Sequence, residues 1–351
     1  MYISMDLRRK YDEGTPAVVL AEGEFGQPEG KTANGIVMHG ELFDAQAVVD
    51  STCPSPNAGA ALDWPAADDV PVVETVTEAL NRAPDAAVLV IGVAPAGGDL
   101  PAAWVEAIQR AMERGCDVVS GLHVFLSERP AWTERAQQHG VDLVDVRKPP
   151  SVADLTLGDG RGSEADADVV LTMGTDCAVG KRTTTFELYR AAADAGLDAG
   201  WVATGQTGIL VGADRGVVID RVPADFVSGI VEDMVLDVAA DHDIVFVEGQ
   251  AALTHTAYGG VTLGLLHGAA PDAVVLADDP SREARSHFDD LTVAGVEAER
   301  RAITDLADTT VAALSTWGDP EEEAARTGLP AANTYDDDGP ETLLTAVLEA
   351  L

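Results

Sequence analysis

The sequence predicts an α/β protein made of two parallel-sheet domains, and three observations predict it. Short β-branched runs alternate with helical stretches along most of the chain. The apolar mass comes from Ala, Val, Leu and Gly, with aromatics only 5% of residues, as is common in parallel sheets covered by helices. The length, 351 residues, exceeds one typical core and suits two.

The first domain is expected over residues 1–150. Ala17–Leu20 and Ala47–Val49 read as strands. The clearest is Ala86–Val93 (AAVLVIGV), followed by the turn Ala94-Pro95-Ala96-Gly97-Gly98. A helix fits Pro101–Arg114, with proline at its start and Gly115 at its end. Asp117–Ser120 is the next strand. This βαβ rhythm predicts a Rossmann-like parallel sheet, although no GxGxxG dinucleotide fingerprint follows any of these strands.

A boundary falls near 147–168, where Arg147-Lys148-Pro149-Pro150 disfavours regular structure and Gly158–Asp168 is rich in Gly and acids. The second domain, 151–351, repeats the rhythm. Strands fit Asp168–Met173, Ala199–Ala203, Asp243–Val247, Ala273–Ala277 and Thr310–Leu314. Helices fit 181–195, 224–240 and 341–351. Several strands end in small or polar residues, where open α/β sheets bind ligands.

The sharpest signal starts where Val169-Val170-Leu171-Thr172-Met173 runs into Gly174-Thr175-Asp176-Cys177-Ala178-Val179-Gly180-Lys181-Arg182-Thr183-Thr184. A strand, a Gly-bounded loop, a lysine and hydroxyls at a helix start form the architecture that cradles phosphate. Backbone N–H groups, the helix dipole and the Lys181 ammonium all favour an anion. The second domain is therefore expected to be P-loop NTPase-like. Two departures stand out. Five residues, not four, separate Gly174 from Gly180, a spacing that with Gly-Thr-Asp resembles dethiobiotin synthetase. Arg182 also stands where the P-loop pattern has the Ser or Thr that holds Mg²⁺. Phosphate binding without ATP hydrolysis is the expectation, with no metal site. Thr183 or Thr184 could substitute only if the helix start shifts. Cys177 reads as a small packing residue; the alternative is a thiol of lowered pKa acting as nucleophile.

Other strand ends supply candidates. Gln206 and Thr207 lie in Thr204-Gly205-Gln206-Thr207-Gly208, a substrate-binding segment or an ordinary turn. Asp243–Val247 ends in Glu248-Gly249-Gln250. An acid ending an apolar strand could orient water or act as a base toward an amine, or it could simply cap a helix. His255 and Tyr258 follow, before Gly259-Gly260, whose backbone would permit close approach of a ligand; His267 precedes Gly268. Arg215 and Arg221 are cations suited to a substrate carboxylate, and Asp220 and Asp225 flank Arg221. In the first domain, Ser120-Gly121-Leu122-His123 and Lys31-Thr32-Ala33-Asn34-Gly35 are candidates for the second wall of a cleft.

These segments together resemble a family of two-domain proteins, long described as a domain of unknown function, that includes D-glutamate N-acetyltransferases. The resemblance rests on IGVAPAGGDLP (91–101), SGLHVFLS (120–127), DVRKPP (145–150), GTDCAVGKRTT (174–184), ATGQTGIL (203–210), VEGQAALTHTAYGGVTLGLLHG (247–268) and PDAVVL (271–276). It covers most of residues 15–290. Ala251-Ala252 and Thr256 depart from the family pattern, a change that bears on fine substrate preference rather than on the fold. The resemblance implies acetyl-CoA as co-substrate, its phosphates on residues 174–184. It implies D-glutamate or a related acidic amino acid as acceptor. For such an acceptor the residues themselves suggest Glu248 or His255 as base and Gln206, Thr207, Gln250, Arg221 and Tyr258 near the substrate. The resemblance also implies a homo-oligomer. An ATP- and Mg-dependent ligase or kinase, or a non-catalytic nucleotide- or CoA-binding module, remain as alternatives.

Charge bounds the partners. There are 60 acidic against 22 basic residues, a net charge of −38 and a pI near 4.2; the lysines are Lys10, Lys31, Lys148 and Lys181. Acids spread along an apolar-rich chain read as a surface suited to high salt, where a Debye length of about 3 Å at molar salt screens self-repulsion. Nucleic-acid binding, which needs basic surface, is not expected. Cys53, Cys116 and Cys177 lack zinc or CxxC spacing. With no signal-peptide pattern at Met1-Tyr2-Ile3-Ser4 and no membrane-length apolar run, a small-molecule enzyme of the cytoplasm, away from membranes, is expected.

Overall fold

The computed structural model describes residues 6–94, 100–286 and 288–351. The Pro95–Gly98 part of the turn after the first domain's clearest strand, and Met1–Ser4, lie outside the described residues. The chain divides into two compact units. Of the described residues, one unit holds 6–149 with Ile209–Gly212, and the other holds Pro150–Gly208 with Ala213–Leu351.

In the N-terminal unit the elements run β1 (Thr15–Leu20), α1 (Lys31–His39), β2 (Phe43–Val49), α2 (Ala58–Leu62), β3 (Val72–Val73), α3 (Val76–Arg82), β4 (Val88–Ile91), α4 (Ala102–Glu113), β5 (Asp117–Ser120), α5 (Pro130–His139) and β6 (Leu143–Asp145). The sheet order is β3-β2-β1-β4-β5-β6 and every pair is parallel. This is the Rossmann order, with its reversal between β1 and β4. The expected strand 86–93 shortens to β4 because Ala86 donates back to the Ala83 carbonyl in a turn (3.2 Å). Lys31–Gly35, expected as a ligand-facing polar stretch, forms the first turns of α1, with Thr32 and Ala33 buried.

The C-terminal unit runs β7 (Asp168–Gly174), α6 (Lys181–Asp194), β8 (Ala199–Ala203), the first half of α7 (Gln206–Val211, whose last three residues belong to the N-terminal unit), β9 (Arg215–Gly216), α8 (Val227–Ala239), β10 (Ile244–Glu248), α9 (Gly259–Ala269), β11 (Ala273–Asp278), β12 (Ala284–Arg285), β13 (Phe288–Thr292), α10 (Val296–Leu306), β14 (Thr310–Thr316), α11 (Pro320–Thr327), β15 (Ala331–Ala332) and α12 (Gly339–Ala350). Its sheet order is β15-β14-β11-β7-β10-β8-β9, all parallel. β12 and β13 form a separate antiparallel pair. Two-residue alternation sends Val169, Leu171 and Met173 of β7, with Val245 and Val247 of β10, into a core with α8 and α9. On the helix after the loop, Phe186 packs against Trp201 of β8 (ring centroids 5.6 Å apart).

The helix expected over 224–240 opens differently. Phe226 N–H donates to the Pro223 carbonyl (2.9 Å), making a 3-10 turn Ala224–Phe226 before α8 begins. The acid-rich segment before β7 is ordered by a buried carboxylate of α8. Glu232 accepts from Asp159 N–H (3.1 Å) and Gly160 N–H (2.6 Å). Gly229 admits this segment, since a Cβ there would lie 2.1 Å from the Thr156 carbonyl oxygen. Among the described residues, no helix is long and apolar enough to cross a membrane.

Candidate active site

Because β7 lies between β11 and β10, its carboxyl end opens beside Asp278, Glu248 and, two strands from β7 on each side, Thr316 and Ala203. The loop begins here. Thr175 N–H donates to the Ala277 carbonyl (3.0 Å) and its hydroxyl to Asp278 Oδ1 (2.6 Å). Burial pushes the Asp278 carboxyl pKa upward, against the Thr175 hydrogen bond. Ala178 (φ 52°) and Gly180 (φ 97°) take left-handed conformations that curl the chain back onto α6. Gly180 caps α6 without a side-chain hydrogen bond. The helix therefore presents first-turn N–H groups that have no intrahelical acceptor, together with the positive end of its dipole.

Lys181 is buried, and its ammonium donates to the Asp176 carbonyl. Burial lowers its pKa to about 8 despite nearby Cys177, Asp176 and Glu248. Two arginines from the 278–286 segment brace the loop from outside. Arg282 Nη1 donates to the Cys177 carbonyl (2.7 Å). Arg285 Nη1 donates to the Thr175 carbonyl (2.6 Å), and its Nη2 to Thr254 Oγ1 (2.6 Å). Thr254 is held in turn by the buried Glu299 of α10, which accepts from its hydroxyl and from the Leu253 and Thr254 N–H groups.

Asp176, fully buried, is the hub of this frame. Its Oδ2 accepts from Ser286 N–H (2.8 Å), and its Oδ1 lies 3.5 Å from Arg285 Nη1 and 3.7 Å from His255 Nε2. Burial alone would raise its pKa; the Ser286 and Cys177 N–H groups and Arg285 outweigh this and hold it below the usual carboxylate range. Asp176, Cys177 and His255 bring three metal-ligand atom types within 4.8 Å of one another, a grouping not foreseen in the sequence. Its surroundings favour an anion. Lys181, Arg282 and Arg285 all act on Cys177 or Asp176. Ala257 N–H donates to His255 Nδ1 (3.1 Å), which assigns the proton of a neutral ring to Nε2, the nitrogen facing Asp176. Burial, followed by Arg285, lowers the His255 pKa and keeps the ring neutral. Nε2 thus faces the loop as a donor rather than as a lone pair for metal or proton. The Cys177 thiol is not activated: burial raises its pKa in spite of Lys181.

On the β10 side, Glu248 accepts from Thr204 N–H (3.1 Å), and its carbonyl accepts from the Thr204 hydroxyl (2.7 Å). Gln250 Nε2 donates to the same hydroxyl (3.0 Å). Glu248 also acts electrostatically on Lys181 and Arg182. Residues 174–184, Thr204, Glu248, Gln250 and His255 therefore converge. Gln206 and Thr207 sit in the first turn of α7 rather than in an open turn, because the chain after Thr204 enters a helix at once. Gly259 opens α9 with its side-chain space filled, since the Leu253 carbonyl oxygen would lie 2.5 Å from a Cβ there, whereas Gly260 has open space at the Cβ position. His267 is inside α9. Tyr258 packs against His255 (centroids 4.7 Å apart) with its ring partly in solvent. Arg215 pairs with Asp237 of α8, and Arg221 stands exposed in the turn Ile219–Arg221. In the N-terminal unit Ser120 Oγ accepts from Leu122 N–H (3.2 Å), and His123 is exposed.

Arg282, Arg285, Asp278 and Glu299 were not anticipated from the sequence. A signal existed: two arginines directly after an apolar strand (DDPSREAR, 278–285) in a chain with few cations.

A phosphate-type loop leaving the centre of a parallel sheet, in a chain that also carries a Rossmann-ordered sheet, defines a P-loop α/β protein with a second, Rossmann-like unit. Residues 156–344 match the P-loop domain of the family described as a domain of unknown function, DUF1611, and residues 52–149 match its Rossmann-like N-terminal domain. The chain belongs to this family. A D-glutamate N-acetyltransferase of Tritonibacter scottomollicae is 37% identical over 273 residues, 72% of this chain and 79% of that protein. One from a Pseudoalteromonas species is 42% identical over 188 residues, 53% of this chain, so that the match spans about half of that relative's length (54%). The crystal structure of a DUF1611 family protein from Anabaena variabilis superposes with a TM-score of 0.85 at 30% identity, over 95% of this chain and 99% of that one.

Proposed function

We propose that the protein is an N-acetyltransferase that moves the acetyl group of acetyl-CoA to the amine of D-glutamate or a related acidic amino acid. The observation that carries this reading is an anion cradle in which an arginine, Arg182, not a hydroxyl residue, follows the lysine. The Thr184 hydroxyl, one of two that could have stood in, is bonded to Ser315 Oγ (2.8 Å). Such a cradle suits the phosphates of CoA, which are held but not transferred. The names of the two relatives, at 37% and 42% identity, support the same reaction.

In this reaction Glu248 takes a proton from the acceptor's ammonium. The freed amine attacks the thioester carbonyl; the C–N bond forms and the C–S bond breaks. The CoA thiolate leaves and takes up the second proton lost by the attacking nitrogen, and backbone N–H groups near the thioester stabilise the tetrahedral oxyanion. Glu248 is assigned as base over His255 because His255 turns a donor toward the loop. Calorimetry with acetyl-CoA and with Mg-ATP, at molar salt, tests the reading alongside thiol release with D-glutamate. Acetyl-CoA binding and D-glutamate-dependent thiol release are expected. Tight Mg-ATP binding with no acetyl-CoA binding would replace this reading with a ligase or kinase.

A further inference from the structure

Three aromatic side chains are exposed among the described residues: Tyr258 (42%), Trp317 (41%) and Tyr335 (63%). Single exposed apolar residues are ordinary. What sets these apart is that all three stand around one loop in a chain that is only 5% aromatic. Tyr258 packs on His255, which faces Asp176. Trp317 directly follows β14, and its N–H donates to the Asp278 carbonyl (3.1 Å), which fixes its backbone at the rim of the site. Its indole rests on Gly180: a Cβ at Gly180 would lie 3.3 Å from the indole Nε1 and 3.4 Å from Cζ2. Gly180 is the cap of α6, so the indole adjoins the N–H groups of the anion cradle. The Tyr335 phenol acts electrostatically on Arg182 in the first turn of the same helix. Arg182 Nη1 is buried without a hydrogen-bond partner.

We propose that Trp317 is a stacking platform for the nucleobase of the ligand whose phosphates occupy loop 174–184, with Tyr335, near Arg182, as a secondary contact. The inference rests on the reading of that loop as a phosphate site and extends it to the other end of the same molecule. An indole that contacts the cap glycine on one side and leaves much of its surface in water suits a flat π system tethered to phosphate. Stacking tolerates any base, so the platform supplies affinity, and purine choice falls to other groups.

The test is calorimetric titration of the full chain at molar salt with CoA, ADP and pyrophosphate, using wild type, Trp317→Ala, Trp317→Phe and Tyr335→Ala. Trp317→Ala is expected to weaken CoA and ADP by about tenfold or more while pyrophosphate changes less than about twofold. Trp317→Phe, which keeps a ring and controls for folding, should recover most of the loss, and Tyr335→Ala should show a smaller base-dependent loss. Unchanged CoA and ADP affinity in Trp317→Ala overturns the platform, and so does an equal loss for all three ligands. A changed oligomeric state with unchanged nucleotide affinity also overturns it and assigns Trp317 to a protein contact. If ADP depends on Trp317 but CoA does not bind, the platform stands and the acetyl-CoA reading falls. If wild type binds none of the three, both fall.

Discussion

The Lys181 ammonium donates to the backbone carbonyl of Asp176, five residues earlier, and so closes the loop on itself before any ligand arrives. With three N–H donors, the ammonium can keep that bond and still offer others to an incoming phosphate.

Lys181 carries a pKa of about 8, against 10.5 for an unperturbed lysine, because it is buried. Between those values the unfolded chain holds a proton that the folded chain lacks, so this group's contribution to stability rises with pH from about 8 to 10.5. Below pH 8 the buried ammonium costs up to about 3 kcal/mol. Lys181→Met is therefore expected to raise the melting temperature at pH 7 while weakening CoA by about 1.5–3 kcal/mol. Because a dianion favours the charged amine, ligand binding between pH 8 and 10 should take up a proton. Titrations in buffers of different ionisation enthalpy measure that uptake, and its absence would take Lys181 out of the phosphate contact.

Asp176 gathers Ser286 N–H and two arginines at one buried carboxylate. Asp176→Asn leaves Arg285 buried beside a neutral group and is expected to cost about 3 kcal/mol, read by denaturant unfolding at molar salt. Its folded pKa is depressed, so its contribution is present above the unfolded value near pH 4 and is lost as pH falls through the lower folded value. The gap between wild type and Asp176→Asn should therefore shrink in acid.

Glu248→Gln keeps an acceptor for Thr204 N–H but cannot take a proton. Its kcat should fall by about 10²–10⁴-fold with acetyl-CoA affinity nearly unchanged. Thiol release and calorimetry together check this, and full activity in the variant would move the base elsewhere.

Gly249 follows Glu248, and a Cβ there would lie 2.0 Å from the Thr172 carbonyl oxygen of β7. Gly249→Ala should push the end of β10 away from β7, costing roughly 2 kcal/mol and more activity than that stability loss explains. Denaturant unfolding and thiol release, measured on the same preparation, separate the two effects.

Cys177→Ser should retain most activity and give no acyl-enzyme on intact-mass analysis, since burial raises the thiol pKa. A trapped acetyl group on the wild-type cysteine would establish a two-step transfer instead.

The strand–loop–helix unit at 168–194 was legible because its signal is local: an apolar run, bounding glycines and a lysine lie within 14 residues of one another in sequence. The βαβ rhythm likewise located most strands of both sheets, and Glu248 was legible as an acid ending an apolar run. What was hidden is long-range. Arg282 and Arg285 reach Cys177, Thr175 and Asp176 across 105 to 110 residues, and no periodicity encodes that pairing. The His255 tautomer was hidden for another reason: it depends on one backbone N–H two residues on, which only the turn at 255–258 brings to the ring.

Ala178 holds a left-handed backbone (φ 52°) where glycine would be unstrained, a conformation that costs an L-residue about 1–2 kcal/mol. A glycine would also let that turn sample other shapes, each of which a ligand would have to freeze out. With alanine the chain meets that ordering penalty when it folds, not at each encounter with a ligand. The loop should therefore recognise its phosphates as a finished mould, with little change in backbone motion between its free and bound states.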